Sequence, residues 1–204
     1  MGKGYVNGRR AGADGCDGGT DVGLLVMRLG LGSVLMAHGA QKLFGWFGGS
    51  GIEGTAGGME SMGFEPGRES AIASGLGEAG GGALIAVGLA TPAAGAAAAG
   101  AMAAATAVHW EHGLFGQQGG FELPLLLGLG AVGVGLTGAG SLSLDEATGH
   151  VLDKPWITAG AFVTTAAVAS AVIAKRNRVV QKRAGAAEEK QREAEAAGNR
   201  PAQA

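Results

Sequence analysis

Residues 36–49 read MAHGAQKLFGWFGG, and they close an apolar run that begins near Val22. This segment carries the polar side chains of His38, Gln41 and Lys42, and an aromatic, glycine-rich stretch follows them. An apolar helix that ends in a lysine and amphipathic aromatic rings is typical of a chain that leaves a lipid bilayer. The segment therefore predicts a membrane-spanning helix from about Val22 to Gln41, and the rest of the chain is interpreted around its exit.

The composition also indicates an integral membrane protein. Only 16% of the 204 residues are charged, and eight of the 15 lysines and arginines lie at or beyond Lys175. The remaining sequence is divided into apolar lengths of about 17–25 residues, which is the length of a helix that crosses a bilayer. Eighteen of the 42 glycines fall in these segments, where small residues let helices approach closely. The single cysteine, Cys16, excludes an internal disulfide, and we expect neither a cleaved signal peptide nor binding to nucleic acid.

The apolar pattern predicts five spans in an all-α integral membrane bundle. After the first span, the others are expected at residues 70–90, 93–108, 121–138 and 156–174. The predicted organisation is a disordered glycine-rich N-terminus (1–20), a four-helix membrane bundle (21–146), a loop and fifth transmembrane helix (147–174), and a charged tail (175–204) that is helical only in part. A surface connection at 42–69 is expected to include a short interfacial helix near residues 57–62.

Alternation of the five spans predicts the orientation of the chain. The side that carries the N-terminus has four lysines and arginines outside the spans, and the opposite side has ten. The positive-inside rule then places the tail in the cytoplasm, with the protein multi-pass in the plasma membrane. This orientation would reverse if the fifth segment did not span.

The same alternation collects polar residues from several span ends at one membrane face. The set comprises His38, Gln41, Lys42, His109, Glu111, His112, Gln117, Gln118 and Glu122. Two interpretations stay open: a single polar pocket that binds a ligand, and an ordinary hydrated surface of helix ends.

Arg28 and Glu78 are the two charged residues that lie well inside predicted spans. A charge in the hydrocarbon region is costly, and it usually marks a functional group or a buried pair. We expect Arg28 and Glu78 to pair with each other. The pair would be either a structural salt bridge between spans one and two or a relay that serves protons or a quinone headgroup.

His109 and His112 stand three residues apart, a spacing that allows two histidines to share a metal ion. One of them could instead ligate a haem opposite His38. Neither pattern is specific, and interfacial histidines hydrogen-bonded to loop backbone are the commoner arrangement. We therefore predict no metal site and no certain cofactor.

Several motifs in order resemble the DoxX family of small bacterial membrane proteins, over about residues 20–146. They are RLGLG at 28–32, HGAQKLFGWFGG at 38–49, GTA at 54–56, MGFEPG at 62–67, GEAGGG at 77–82, GQQGGFE at 116–122 and SLD at 143–145. The resemblance implies a four-helix membrane bundle, to which this chain adds a fifth helix and a charged tail.

What is known of the family links the resemblance to membrane redox chemistry. One relative is the small subunit of an archaeal thiosulfate:quinone oxidoreductase, and others are membrane partners of a sulfurtransferase and a superoxide dismutase. The resemblance thus implies a quinone-related role for Arg28, His38, Glu78, His109 and Glu122. The lack of paired cysteines argues against thiol chemistry carried out by this chain alone.

Three functions are compatible with these observations. The leading one is an accessory or anchor subunit of a membrane redox or oxidative-stress assembly, in contact with a protein partner and binding a quinone or lipid at its polar face. The second is a quinone-linked oxidoreductase of thiosulfate or thiols, and the third is a small transporter. The chain is also a candidate to form homo-oligomers.

Overall fold

A computed structural model describes residues 14–198, and within this range all regular secondary structure is helical. The α-helices are α1 (Asp14–Phe44), α2 (Gly51–Ser61), α3 (Gly67–Val87), α4 (Thr91–His109), α5 (Glu122–Thr137), α6 (Leu144–Ala147) and α7 (Pro155–Gly198). Short 3-10 helices at Trp46–Gly48, Trp110–His112 and Gly116–Gln118 lie in the connections.

Four of these helices are long and apolar enough to cross a membrane: α1 from Gly18 onward, α3, α4 with the turn that follows it, and α7. Helix α5 is apolar but has only 16 residues, so at 1.5 Å per residue it extends about 24 Å, against a hydrocarbon thickness of about 30 Å. The prediction of an all-α membrane bundle with an additional C-terminal helix is therefore confirmed.

Helices α1 and α3 pack closely because glycines stand at their contact. A Cβ atom added to Gly32 would lie 2.5 Å from the carbonyl oxygen of Gly82, and one added to Gly82 would lie 2.7 Å from that of Gly32. Gly39 is equally close to the backbone of Ala79. Side chains at these positions would push the helices apart, so the glycines fix the distance and register of the two helices.

The apolar core is small and joins four helices. Leu35 of α1, Ile85 of α3, Ala98 and Met102 of α4, and Val134 of α5 are buried against one another. Many other large apolar side chains on the spanning helices are exposed, as expected of helices whose outer faces contact lipid rather than water.

A buried polar centre closes the bundle at the face where α1 begins and α3 ends, which we call the Asp145 face. Both carboxylate oxygens of Asp145 accept backbone hydrogen bonds, from Ala90 at 2.8 Å and Thr91 at 3.0 Å. Asp145 thereby satisfies the first amide groups of α4, as a capping residue does. Arg28 is also fully buried, donates to the carbonyl oxygen of Leu142 and interacts electrostatically with Asp145.

The structure differs from the sequence-based boundaries at three places. Residues 14–20 belong to α1 rather than to a disordered N-terminus, and residues 1–13 lie outside the described range. The interfacial helix expected near residues 57–62 is α2, which begins earlier, at Gly51. The tail continues α7 as one helix to Gly198, because its alanines and long charged side chains favour helix once a span has nucleated it.

We predict that Asp145→Ala destabilises the protein by about 3 kcal/mol, since it leaves Arg28 buried without its counter-charge and α4 without its cap. Thermal unfolding in detergent, followed by circular dichroism, should show a Tm lower by about 5–10 °C. Glu146→Ala is the matched control, because it removes an exposed carboxylate from the same short helix. Equal effects of the two substitutions would contradict this role of Asp145.

The loop after α6 carries a histidine whose titration can be measured. His150 Nδ1 lies 2.6 Å from Asp153 Oδ2 and its Nε2 lies 2.7 Å from Glu146 Oε2, and these hydrogen bonds raise the pKa of His150 above its ordinary value of 6.5. Because the pKa of His150 is higher in the folded state, the charged imidazole stabilises the fold. This stabilisation is fully present below pH 6.5, the ordinary pKa, and is lost as pH rises through the folded-state pKa.

We therefore predict that NMR titration of His150 in the folded protein gives a pKa above that of the same residue in a peptide of residues 144–156. Asp153→Asn should bring the two values closer together. A folded-state pKa at or below the peptide value would contradict the pairing.

Candidate functional site

A cavity of about 1090 Å³ lies beneath α2 at the membrane face opposite to Asp145. We call this the α2 face, and the space the α2-face cavity. Helices α3, α4 and α7 form its walls, and α2 with the segment before α3 covers it. Its lining includes the polar residues Gln41, Lys42, Thr55, Ser74 and His109, and the apolar residues Met59, Phe64, Ala97, Ala101, Ala104, Ala105, Val108, Val168 and Val172.

A buried ion pair borders the polar end of the cavity. Lys42 Nζ contacts Glu78 Oε1 and donates to Ser74 Oγ at 3.0 Å. The Glu78 side chain is 1% exposed and that of Lys42 is 25% exposed. Glu78 Oε2 is buried and has no hydrogen-bond partner among the described residues. The ammonium group of Lys42 therefore faces the cavity. Farther from the cavity, one carboxylate oxygen of Glu78 is left without a hydrogen-bond donor.

The predicted pair of Arg28 with Glu78 is wrong. Glu78 pairs with Lys42 of α1, while Arg28 lies at the Asp145 face and binds the carbonyl oxygen of Leu142. Arg28 and Lys42 are 14 positions apart on one helix, which is about 21 Å along its axis. That separation exceeds the reach of an arginine side chain, so the register of α1 against α3 decides which cation meets Glu78.

His109 lines the cavity, and its ring is held by loop backbone. His109 Nδ1 lies 2.8 Å from the carbonyl oxygen of Gly119, so in the neutral ring Nδ1 carries the proton and Nε2 remains an acceptor. The ring of His112 is 6.3 Å away, centroid to centroid. Within residues 14–198 no group of three or more His, Cys, Asp or Glu side chains is arranged to hold a metal ion.

The structure separates the candidate residues by their position relative to the cavity. Gln41, Lys42 and His109 line the cavity, and Glu78 adjoins it through Lys42. His38, His112, Gln117, Gln118 and Glu122 are not part of its lining, and Arg28 belongs to the opposite face. Glu122 accepts from the backbone of Gly116 at 3.1 Å and so orders the loop before α5, while Glu111 borders a smaller cavity of about 380 Å³.

Sequence reasoning missed most of the cavity wall. The wall on α4 consists of small residues, among them Ala97, Ala101 and Ala104, which cannot fill the space between this helix and its neighbours. The signal was present in the sequence, because the third span is mostly alanine. Ser74 and the wall on α7, including Thr165 and Val172, gave no comparable signal.

Together, the spanning helices and the amphipathic cavity define a multi-pass helical membrane protein with a ligand-sized space at one bilayer face. Within that class, the family model for DoxX matches residues 23–110. These residues therefore form a DoxX domain, which confirms the resemblance inferred from the motifs. The match spans most of α1 and all of α2–α4, and α5–α7 lie beyond it. In the same comparisons, no curated protein and no solved structure matches the chain.

We predict strong energetic coupling between Lys42 and Glu78. Lys42→Met alone leaves a buried carboxylate without its counter-charge and should cost about 3–5 kcal/mol of unfolding free energy. Combining it with Glu78→Gln should recover a large part of that loss, which unfolding of the four variants in a double-mutant cycle would measure. A cycle on Arg28→Met and Glu78→Gln is the control, and coupling there as strong as in the Lys42 cycle would contradict the assignment.

Proposed function

We propose that this protein is an accessory or anchor subunit of a membrane redox assembly, and that it binds a membrane amphiphile, a quinone or a lipid, in the α2-face cavity. The observation that carries the proposal is the amphipathic character of the cavity. Its walls are alanines and valines of spanning helices, while Lys42, Ser74 and His109 stand at one end. The redox assembly rests on what the DoxX resemblance implies.

The arrangement suits a ligand with a polar head and an apolar body. Lys42 has one N–H donor left beyond its bonds to Glu78 and Ser74, and His109 offers an acceptor nitrogen in its neutral form. Binding sites of this kind are mostly apolar, with a few polar groups that fix the orientation of the ligand. A headgroup at Lys42 would lie at the membrane interface, and its tail would follow the alanine wall of α4.

The unpartnered oxygen of Glu78 favours a second candidate function, a quinone-linked oxidoreductase. In that reaction two thiols lose two electrons and two protons and form a disulfide, and a quinone takes up both to become a quinol. Glu78, reached through Lys42, would pass a proton to the quinone oxygen. A buried carboxylate beside a cavity is suited to this role, since a proton-transfer group must lie within hydrogen-bond reach of the atom that it protonates.

The first experiment is purification in a mild detergent, followed by extraction and mass spectrometry of the bound small molecules and proteins. Ala104→Leu should lower the retained amphiphile several-fold, because the larger side chain fills the cavity. Ala93→Leu is the matched control, since Ala93 is exposed on the same helix and is not part of the cavity lining. Equal amphiphile content in both variants and the unmodified protein would overturn the cavity as the binding site.

A turnover assay separates the two candidate functions. The purified protein alone is given a thiol or thiosulfate and a soluble quinone, and quinol formation is followed by absorbance. We expect no quinol above background for an accessory subunit. Turnover that Glu78→Gln abolishes, with the ligand still bound, would favour the oxidoreductase instead.

A further inference from the structure

Helix α7 supplies a wall of the cavity that the DoxX-matched range does not contain. Thr164, Thr165, Val168 and Val172 line the space on this side, and Lys175 and Arg176 stand at its mouth. The family match ends at residue 110. The side of the cavity that faces the charged tail is therefore a feature that α7 adds to the bundle.

The dimensions of this wall correspond to one leaflet of a bilayer. From Thr164 to Lys175 the helix rises about 16 Å, which is close to half of a hydrocarbon thickness of about 30 Å. The apolar part of α7, from Pro155 to Ala174, has 20 residues, enough to span the hydrocarbon region once, about 30 Å. If Pro155–Ala174 spans the hydrocarbon region, Lys175 and Arg176 come directly after its edge, where basic side chains reach the lipid phosphates.

Backbone carbonyl groups hold these two cations in place without neutralising them. Lys175 Nζ donates to the carbonyl oxygen of Glu65 at 2.6 Å, and Arg176 Nε donates to that of Met62 at 2.9 Å. Arg176 Nη1 also donates to the side-chain oxygen of Asn177 at 3.1 Å. Each cation keeps further N–H groups that these bonds do not use, since lysine has three donors and arginine five.

The other charges around the mouth leave a positive balance. Lys42 is paired with Glu78, and Glu65 is paired with Arg183. Glu69 adds one negative charge at the rim, against the two positive charges of Lys175 and Arg176. An amphiphile with an anionic head therefore complements this mouth better than a neutral one.

We propose that the α2-face cavity takes an acyl chain of an anionic phospholipid from the adjacent leaflet, with the lipid phosphate against Lys175 and Arg176. This inference rests on the proposed binding of an amphiphile and names its class. Helix α7 is then the element that selects the headgroup, while the alanines of α4 accommodate the chain irrespective of the headgroup.

The test is native mass spectrometry of the full-length protein in detergent, with phosphatidylglycerol or phosphatidylcholine of identical acyl chains added. At about 1 kcal/mol per cation near the lipid surface, offset in part by Glu69, we expect about tenfold stronger retention of phosphatidylglycerol. The double variant K175Q/R176Q should reduce this preference to nearly equal retention. The matched control R178Q/K182Q also loses two cations from α7, at exposed positions outside the lining, and should keep the preference.

Two further measurements distinguish a failure of the anionic-headgroup assignment from a failure of the proposed function. If K175Q/R176Q does not fold, a salt titration of the unmodified protein replaces it. Its preference for phosphatidylglycerol should fall as salt rises from 0.05 to 0.5 M, where the Debye length is about 4 Å. Ala104→Leu should lower retention of both lipids alike. Retention of both lipids without preference, or equal loss of preference in both double variants, would overturn the anionic-headgroup assignment. Failure to retain any added lipid or quinone would overturn the proposed function itself.

Discussion

The close contact between α1 and α3 is the constraint on which the positions of the polar groups depend. Gly32 and Gly82 stand opposite each other with no room for a Cβ atom, so the close approach of the two helices depends on the register that brings these glycines together. That register brings Lys42 beside Glu78 and leaves Arg28 some 14 positions nearer the opposite face, about 21 Å away. If α1 shifted by one turn along α3, Lys42 would lose Glu78 and Arg28 would lose the carbonyl oxygen of Leu142.

Much of the bundle could be predicted from sequence, since span length and apolar content are local properties. The polar face was also predictable, because alternation of spans requires Lys42 and His109 to emerge on one side. The pairing of Glu78 was not, because it depends on the register of two helices, which periodicity alone does not determine. The α7 wall could not be predicted either, because the sequence of a continuous apolar span does not show which helix that span will contact.

The cavity persists because contacts at its rim hold its walls apart. Alanine side chains on α4 leave the space unfilled, and α7 could move inward only by giving up its packing on α4 and its hydrogen bonds to the segment before α3. Beside that segment, in the last turn of α2, the carbonyl oxygen of Glu60 accepts a further hydrogen bond from Arg183 at 2.7 Å, next to the contacts of Lys175 and Arg176. The basic residues of the tail thus have a defined structural role, beyond any effect on orientation.

Among residues 14–198, the two buried charged centres differ in a way that bears on function. At the Asp145 face, both carboxylate oxygens accept amide hydrogen bonds, so the carboxylate is fully engaged in joining α4 to the end of the bundle. At the α2 face, Glu78 has one oxygen on Lys42 and another without a donor. A buried ion pair is in general weak evidence for stability, because its desolvation cost offsets its attraction. Buried groups without a partner occur at both faces, since Arg28 Nε and Nη1 also have none among the described residues. What distinguishes Glu78 is that it borders a ligand-sized cavity, so we associate it with binding, and we associate the Asp145 carboxylate, whose two oxygens are both satisfied, with the fold.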